Sequence, residues 1–364
     1  MVESNKKINE DLKELVNIGE KIGASDIHIT SGRYVTFRIK GRLQVFRQGK
    51  IFSTKDILHI YQDLDLNMNK LENDKAVDAG LTVGDSRLRI HFYKSLDSYS
   101  VSIRLISLKI PEFSNLFLPD VLKKFIKKRT GLVIVTGATG SGKSTTLASL
   151  INEINKSESK KIITVEDPIE YIYEDNQSLI IQREVGPDVN NFNEAISQAM
   201  REDPDILLVG ELRDLATIEA AIRMAETGHL VFGTLHTRGA AETFTRIIDV
   251  FPGNEQDQIR TQLSQVVQGV ISQQLITTST DKRLPLIEVL VMNTGARGII
   301  ANTNSNLSSL KDNISQNHSK LQSQSFVQSA ADLIKKRLIT LDDIRDIFDE
   351  DDIKKIRSYI SGIN

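Results

Sequence analysis

The sequence predicts an α/β fold: a parallel sheet covered by helices on both faces, preceded by a small α+β domain and followed by a helical region. Three observations carry this. From residue 132 to residue 236, apolar runs of strand length alternate with helical segments, as in a sheet buried on both sides. Upstream, "SDIHITSG" and "YVTFRIKGRLQVF" alternate apolar and polar residues, as half-buried strands do. The first long apolar run, in "GLVIVTGATGSGKSTT" (131–146), breaks into glycine and ends on a lysine and hydroxyls, the signature of a strand, a phosphate-binding loop and a helix.

Taken in order, Leu12, Leu15, Val16 and Ile22 recur at helical spacing and predict a helix from about Ile8 to Ile22. The alternating strands follow. "TKDILHIYQDL" predicts a helix opened by Thr54, and "AGLTVGDSRLRIHFY" and "YSVSIRLI" predict further antiparallel strands, completing a small α+β domain over 1–110. Two prolines in "KIPEFSNLFLP" mark 111–119 as a linker. In "DVLKKFIKKRTG", Val121, Leu122, Phe125 and Ile126 form one apolar helical face. Lys123, Lys124, Lys127, Lys128 and Arg129 are then its solvated face rather than a nucleic-acid patch.

A nucleotide domain is expected over 120–290, with strands LVIVT (132–136), IITVE (162–166), ILLVGE (206–211) and LVFGTLH (230–236), and helices after the loop, around "NFNEAISQAM" and over "ATIEAAIRMAETG". Ligands in such sheets lie beyond the carboxyl ends of the strands. Residues 291–364 read as helical: Leu307, Leu310, Ile314 and Leu321 keep a helical interval through an Asn/Ser/Gln-rich stretch, predicting a weakly held amphipathic helix. Thr340 with Asp343 predicts a capped helix start.

Composition bounds the function. With 364 residues, 40% of them hydrophobic, the chain builds more than one core. A net charge of −2 supplies no global basic field for a nucleic-acid duplex. Zero cysteines exclude disulfides and thiolate zinc sites. No apolar run approaches the roughly 18 residues of a membrane helix, so work at a membrane is expected from the cytoplasmic side.

The candidate chemistry is phosphoryl transfer. In the GxxxxGKS loop, Gly137, Ala138, Thr139, Gly140, Ser141, Gly142, Lys143, Ser144 and Thr145 would hold ATP. Backbone N–H groups cradle phosphate, Lys143 reaches the β and γ phosphates, and the Ser144 hydroxyl faces Mg²⁺. Two strand-end carboxylates, Glu166 before Asp167-Pro168 and Glu211 after Gly210, face the same crevice. Each has a structural alternative, as a helix cap or as partner to an arginine such as Arg201, Arg213 or Arg223.

"ITVEDPIEY", "QAMREDPDILLVGELRD" and "AETGHLVFGTLHT" follow the loop in that order. Together they resemble the acidic box, atypical Walker B and histidine box of the PilT-like branch of the type II/IV secretion ATPases, the hexameric motors of type IV pili. "GASDIHI" (23–29) and "VISQQLI" (270–276) extend the resemblance over most of the chain; Ala138 stands where the family commonly has proline. The resemblance implies a RecA-like ATPase core behind a PAS-like N-terminal domain. Glu166 would be the base that orients water, Glu211 would support Mg²⁺, and His236 would report on the γ-phosphate. His229 would be either catalytic or a structural histidine bonded to backbone. Arg87, Arg89 and Arg104 match N-domain arginines that reach a neighbouring subunit's nucleotide; an exposed strand edge protected by charge would look the same.

The implied protein is a homohexameric ATPase at the cytoplasmic face of the inner membrane, acting on a pilus platform protein. Assembly motors of the family carry an extra N-terminal domain and a four-cysteine zinc site, and the absence of both points to retraction. The alternatives are an assembly or type II secretion motor, a slow-turnover nucleotide-dependent switch, and a nucleic-acid translocase, which the charge disfavours. Where retraction motors carry an Ala-Ile-Arg-Asn-Leu-Ile element, this chain has "GARGII" (295–300). Gly295 and Gly298 predict a hinge or loop there rather than a stiff helix.

Overall fold

The computed structural model describes residues 9–39, 41–84, 86–96, 98–107 and 109–362; Ile8, where the first helix is expected to begin, lies outside them. The chain divides into two compact units, Met1–Lys109 with Glu170–Ile172, and Ile110–Ile169 with Tyr173–Asn364.

The smaller unit opens on α1 (Glu10–Lys21), where the Asn9 side chain accepts the Leu12 N–H. Strands β1 (Ala24–Thr30), β2 (Thr36–Ile39) and β3 (Arg42–Val45) follow, then helices α2 (Thr54–Asp63) and α3 (Met68–Asp74), then β4 (Ala76–Val83), β5 (Ser86–Ser95) and β6 (Ser98–Ser107). Thr54 is the first residue of α2, but the cap is Ser53, in a reciprocal capping box with Asp56. The strands form one antiparallel sheet in the order β3-β2-β1-β6-β5-β4. Leu12 and Val16 of α1 and Ile57, Ile60 and Tyr61 of α2 cluster with Ile27, Ile29, Leu88, Ile90 and Ile103 of the sheet. The alternating polar residues of β5 and β6 therefore occupy the opposite face.

The larger unit contains α4 (Lys123–Ile126), β7 (Gly131–Thr136), α5 (Lys143–Ser157), β8 (Lys161–Glu166), β9 (Leu179–Glu184), α6 (Phe192–Ala199), β10 (Ile206–Val209), α7 (Leu215–Glu226) and β11 (Leu230–Leu235). It continues through α8 (Ala240–Asp249), α9 (Gln256–Val266), β12 (Val267–Thr277), β13 (Arg283–Val291), α10 (Thr294–Ala301), α11 (Leu310–Gln316), α12 (His318–Leu321), α13 (Phe326–Lys335) and α14 (Glu350–Ser361). The sheet order is β13-β12-β7-β11-β10-β8-β9. All pairings are parallel except β12–β13. That antiparallel edge hairpin and β9 add to the strands expected from sequence. On one face, Val133, Val135, Leu208, Phe232 and Ile271 pack with Leu147, Leu150 and Ile151 of α5. On the other, Leu132, Ile134, Leu207, Val231 and Val270 pack with α6 through α9.

Several segments differ from expectation. Phe113, inside the expected linker, is buried in the α5-side core, with the Lys123 ammonium 4.7 Å from its ring centroid. The Asn/Ser/Gln-rich stretch forms short helical pieces rather than one helix: a 3₁₀ turn over Leu307–Ser309, then α11 and α12, which ends at a left-handed Gln322. Leu307, Leu310 and Ile314 nonetheless join the main core, so the apolar spacing rather than the polar composition decides its order. "GARGII" is helical, which corrects the hinge expectation. The Asn293 side chain accepts the Ala296 N–H at 2.9 Å to start α10, and the Arg297 guanidinium donates to the Ser264 carbonyl and, at 3.0 Å, to the Gln265 carbonyl in the last turn of α9. A cap and a charge on a helix C-terminus together outweigh two unfavourable glycines. Thr340 does pair with Asp343, through its N–H at 2.8 Å and its hydroxyl at 2.9 Å, but the turn it starts is 3₁₀ (Asp342–Ile344). No helix among the described residues is long and apolar enough to cross a membrane.

Candidate active site

The phosphate loop leaves the end of β7 with Thr136 fully buried. Gly137 adopts φ 149°, and a Cβ there would lie 2.3 Å from the Gln273 carbonyl oxygen, so only glycine fits this turn. Gly142 caps α5 at φ 89° without any side-chain cap bond. No side chain caps the start of α5, and such a helix N-terminus is an arrangement that binds anions. Lys143 is buried and its Nζ donates to the Gly137 and Ala138 carbonyls at 2.7 and 3.1 Å. The Ser141 hydroxyl is buried without a hydrogen-bond partner. An orphaned donor, a helix end lacking a cap and a buried ammonium suit a phosphate chain. Ser144 and Thr145 occupy the first turn of α5, half-buried.

Gln273 of β12 holds the loop from below. Its Nε2 donates to the Ser141 carbonyl at 2.7 Å and its Oε1 accepts from Thr146 Oγ1 at 2.7 Å. The sequence reading passed over this residue. Its only local signal is a polar pair, Gln273-Gln274, in an apolar strand.

The strand order places the other candidates in a row. Beside β7 lies β11, then β10, then β8, and because these strands are parallel their carboxyl ends share one edge. His236 follows β11, Glu211 follows β10 and Glu166 ends β8. Three strand spacings, about 14 Å, separate the Glu166 strand from the P-loop strand. Glu166 is half-buried, and its Oε1 accepts from Thr164 Oγ1 at 2.8 Å and from Gln182 Nε2 at 3.4 Å. The Asp167-Pro168 peptide that follows is cis.

Glu211 is fixed from both sides. The Gly210 N–H donates to Val165 at 2.7 Å and the Leu212 N–H to Thr234 at 2.9 Å, tying the residues around it to β8 and β11. A Cβ at Gly210 would lie 3.2 Å from the Glu166 Cα, so the glycine before Glu211 allows the two acidic strand ends to approach. Glu211 Oε1 sits 2.7 Å from Arg213 Nε and 3.4 Å from His236 Nε2. The arginine contact is one of the structural alternatives for this carboxylate, and the histidine contact brings two of the candidate residues together.

His229 stands elsewhere. It precedes β11 at the end away from the loop, where its carbonyl accepts the Gly131 N–H, and its Nδ1 lies 3.1 Å from the Met224 carbonyl oxygen and 3.2 Å from Thr227 Oγ1. The length of β7, about 20 Å, lies between it and the phosphate loop. In the smaller unit, Arg87 and Arg89 share the polar face of β5, and Arg89 pairs in register with Arg104. Arg104 Nε donates to Asp26 Oδ1 at 3.0 Å, Arg38 Nε lies 3.8 Å from Asp26 Oδ2, and Arg87 donates to Thr82 Oγ1 at 3.4 Å.

A family model for "Type II/IV secretion system protein" matches residues 2–345. The chain belongs to this family. Among secretion-family relatives, it is 36% identical over 347 residues, 92% of this chain and 97% of the relative, to the type IV pilus retractation ATPase PilT of Pseudomonas aeruginosa. It is 40% identical over 291 residues, 79% of this chain and 88% of the relative, to the uncharacterized protein YggR of Escherichia coli K12. A crystal structure of the pilus retraction motor PilT with bound ADP superposes with a TM-score of 0.84 at 39% identity, covering 94% of this chain and 99% of that one. The shared secretion-family fold thus extends across the small antiparallel unit, the parallel sheet and the C-terminal helices alike.

Proposed function

We propose that this chain is the subunit of an ATP-hydrolysing ring motor that retracts type IV pili. The observation that carries the reading is the row of groups on the carboxyl edge of β7, β11, β10 and β8: a phosphate loop with an uncapped helix N-terminus, then His236, Glu211 and Glu166. Such a row surrounds a triphosphate with donors on one side and carboxylates on the other. The near full-length likeness to a retraction motor with ADP bound supports both the nucleotide and the direction.

Lys143 and the α5 amides hold the phosphates. Glu166, its Oε1 already held by Thr164 and Gln182, takes a proton from the attacking water. His236, against Glu211, senses the state of the γ-phosphate. Ser144 and Glu211 are the residues that would hold Mg²⁺, which would supply positive charge against the developing phosphate charge. Arg87, Arg89 and Arg104 act on the nucleotide of a neighbouring subunit, six subunits form the ring, and the ring works at the cytoplasmic face of the membrane on a pilus platform protein.

Deletion of the gene is expected to leave cells with excess surface pili and no twitching motility. Counting pili by electron microscopy beside a surface-motility assay checks this; bald cells would reassign the motor to assembly.

Arginines acting in trans also predict rescue by mixing. Arg104→Ala and Glu166→Gln subunits, each inactive alone, are expected to recover ATPase activity several-fold when co-assembled, because some interfaces pair an intact arginine with an intact base. No recovery in rings shown to be mixed would make Arg104 a structural partner of Asp26 alone.

A further inference from the structure

Strand β13 reads RLPLIEVLV, and its one acidic residue, Glu288, is 7% exposed. A carboxylate there requires partners, because an unpaired buried charge is strongly unfavourable. Oε1 accepts the Ala240 N–H at 2.9 Å, and Ser272 stands directly opposite Glu288 in the β12–β13 register. Ser272 in turn accepts from Thr136 Oγ1 at 3.1 Å. Thr136 and Ser272 are both fully buried.

These contacts follow from register. Thr136 pairs with Ser272 across β7–β12, and Ser272 with Glu288 across β12–β13. One step back along each strand face, Ile134, Val270 and Leu290 form the matching apolar row. The polar row therefore replaces apolar packing only at the phosphate-loop end of the sheet, on the face that carries α8. Its two ends matter: Thr136 directly precedes Gly137 of the phosphate loop, and Ala240 is the first residue of α8, directly after the loop His236–Gly239.

Helix α8 lacks a cap of its own. Gly239 stands at the N-cap position with no side-chain cap bond. A Cβ on Gly239 would lie 3.2 Å from Glu288 Oε1, so the glycine makes room for a cap supplied from another strand. Burial pushes the Glu288 carboxyl up, while the Ala240 N–H, the Lys311 ammonium and the Ser272 hydroxyl draw it back.

We infer that Glu288 is a positioning residue for the nucleotide reaction: through the buried, in-register polar row Thr136–Ser272–Glu288, capped by the Ala240 N–H, it couples the phosphate loop to the loop that carries His236. A shift of the P-loop strand end on nucleotide binding is then felt at the start of α8, on the far side of the sheet row from Glu211. The inference rests on the nucleotide-site reading above.

Amide hydrogen exchange with a non-hydrolysable ATP analogue tests it. In the wild-type chain the analogue is expected to slow exchange both in the phosphate loop and at residues 237–240. Ser272→Ala, which leaves the Glu288–Ala240 contact intact, is expected to keep the first protection and lose the second. It is also expected to lower kcat about tenfold, with KM for ATP changed less than about threefold. Glu288→Ala combined with Gly239→Ser, which supplies a local cap, is expected to regain thermal stability relative to Glu288→Ala alone without regaining kcat. Identical protection of 237–240 in wild type and Ser272→Ala, or recovery of kcat together with stability in the double variant, overturns the inference and leaves Glu288 a helix cap. Absence of phosphate-loop protection in the wild type would instead sink the nucleotide-site reading.

Discussion

Lys143→Ala is expected to weaken ATP binding by at least about a hundredfold, beyond detection in an ordinary titration. Lys143 is 9% exposed and its ammonium sits on two carbonyls of its own loop, Gly137 and Ala138. It is thus held at the site where phosphate oxygens arrive and exchanges neutral acceptors for charged ones. Hydrogen bonds to charged groups contribute roughly 1.5–3 kcal/mol each, and about 1.4 kcal/mol is a factor of ten, so losing two of them accounts for the effect. Calorimetric titration with ADP and an ATP analogue measures it, with the melting temperature reporting that the variant is folded. A dissociation constant within threefold of wild type would confine Lys143 to bracing the loop.

Glu166→Gln is expected to do the reverse: ATP binds as in wild type, and kcat falls by about two orders of magnitude or more, as for loss of a positioned general base. The amide preserves the size of the side chain and one oxygen for the Thr164 hydroxyl, which donates to Glu166 Oε1 at 2.8 Å. What it removes is the ability to take a proton. Single-turnover kinetics with pre-bound ATP separates chemistry from binding. Equal losses in binding and turnover would make Glu166 structural, and unchanged turnover would pass the role of base to Glu211.

The residues of the site divide by how far their reasons reach along the chain. The phosphate loop is legible because strand, glycines, lysine and helix lie within one short run. Glu166 and Glu211 are legible because an acidic residue at the end of an apolar strand is visible locally. Gln273 and Glu288 were not: Glu288 is one polar residue in an apolar run, and Gln273 is one of a short polar stretch within an apolar strand. Their reasons are partners far away in sequence: Gln273 bonds Ser141 across 132 residues and Glu288 bonds Ala240 across 48. "GARGII" misled in the opposite direction. Its glycines are a true local preference, overridden by the Asn293 cap and by the Arg297 bonds to the end of α9.

By itself, the sequence determined the type of β7, β8, β10 and β11 and of the helices α5, α6 and α7 between them, and the chemical character of the groups at their ends. Those follow from short-range sterics, from the spacing of apolar residues and from which side chains carry charge. Only the tertiary structure decided which ends are neighbours. The order β7-β11-β10-β8 puts His236 nearer the phosphate loop than Glu166, although Glu166 is much closer to it along the chain. It also leaves His229 at the far end of the strand that delivers His236. Adjacency in a sheet is set by pairing between distant segments, each burying apolar faces that only the folded chain brings together, and no local run of residues encodes it.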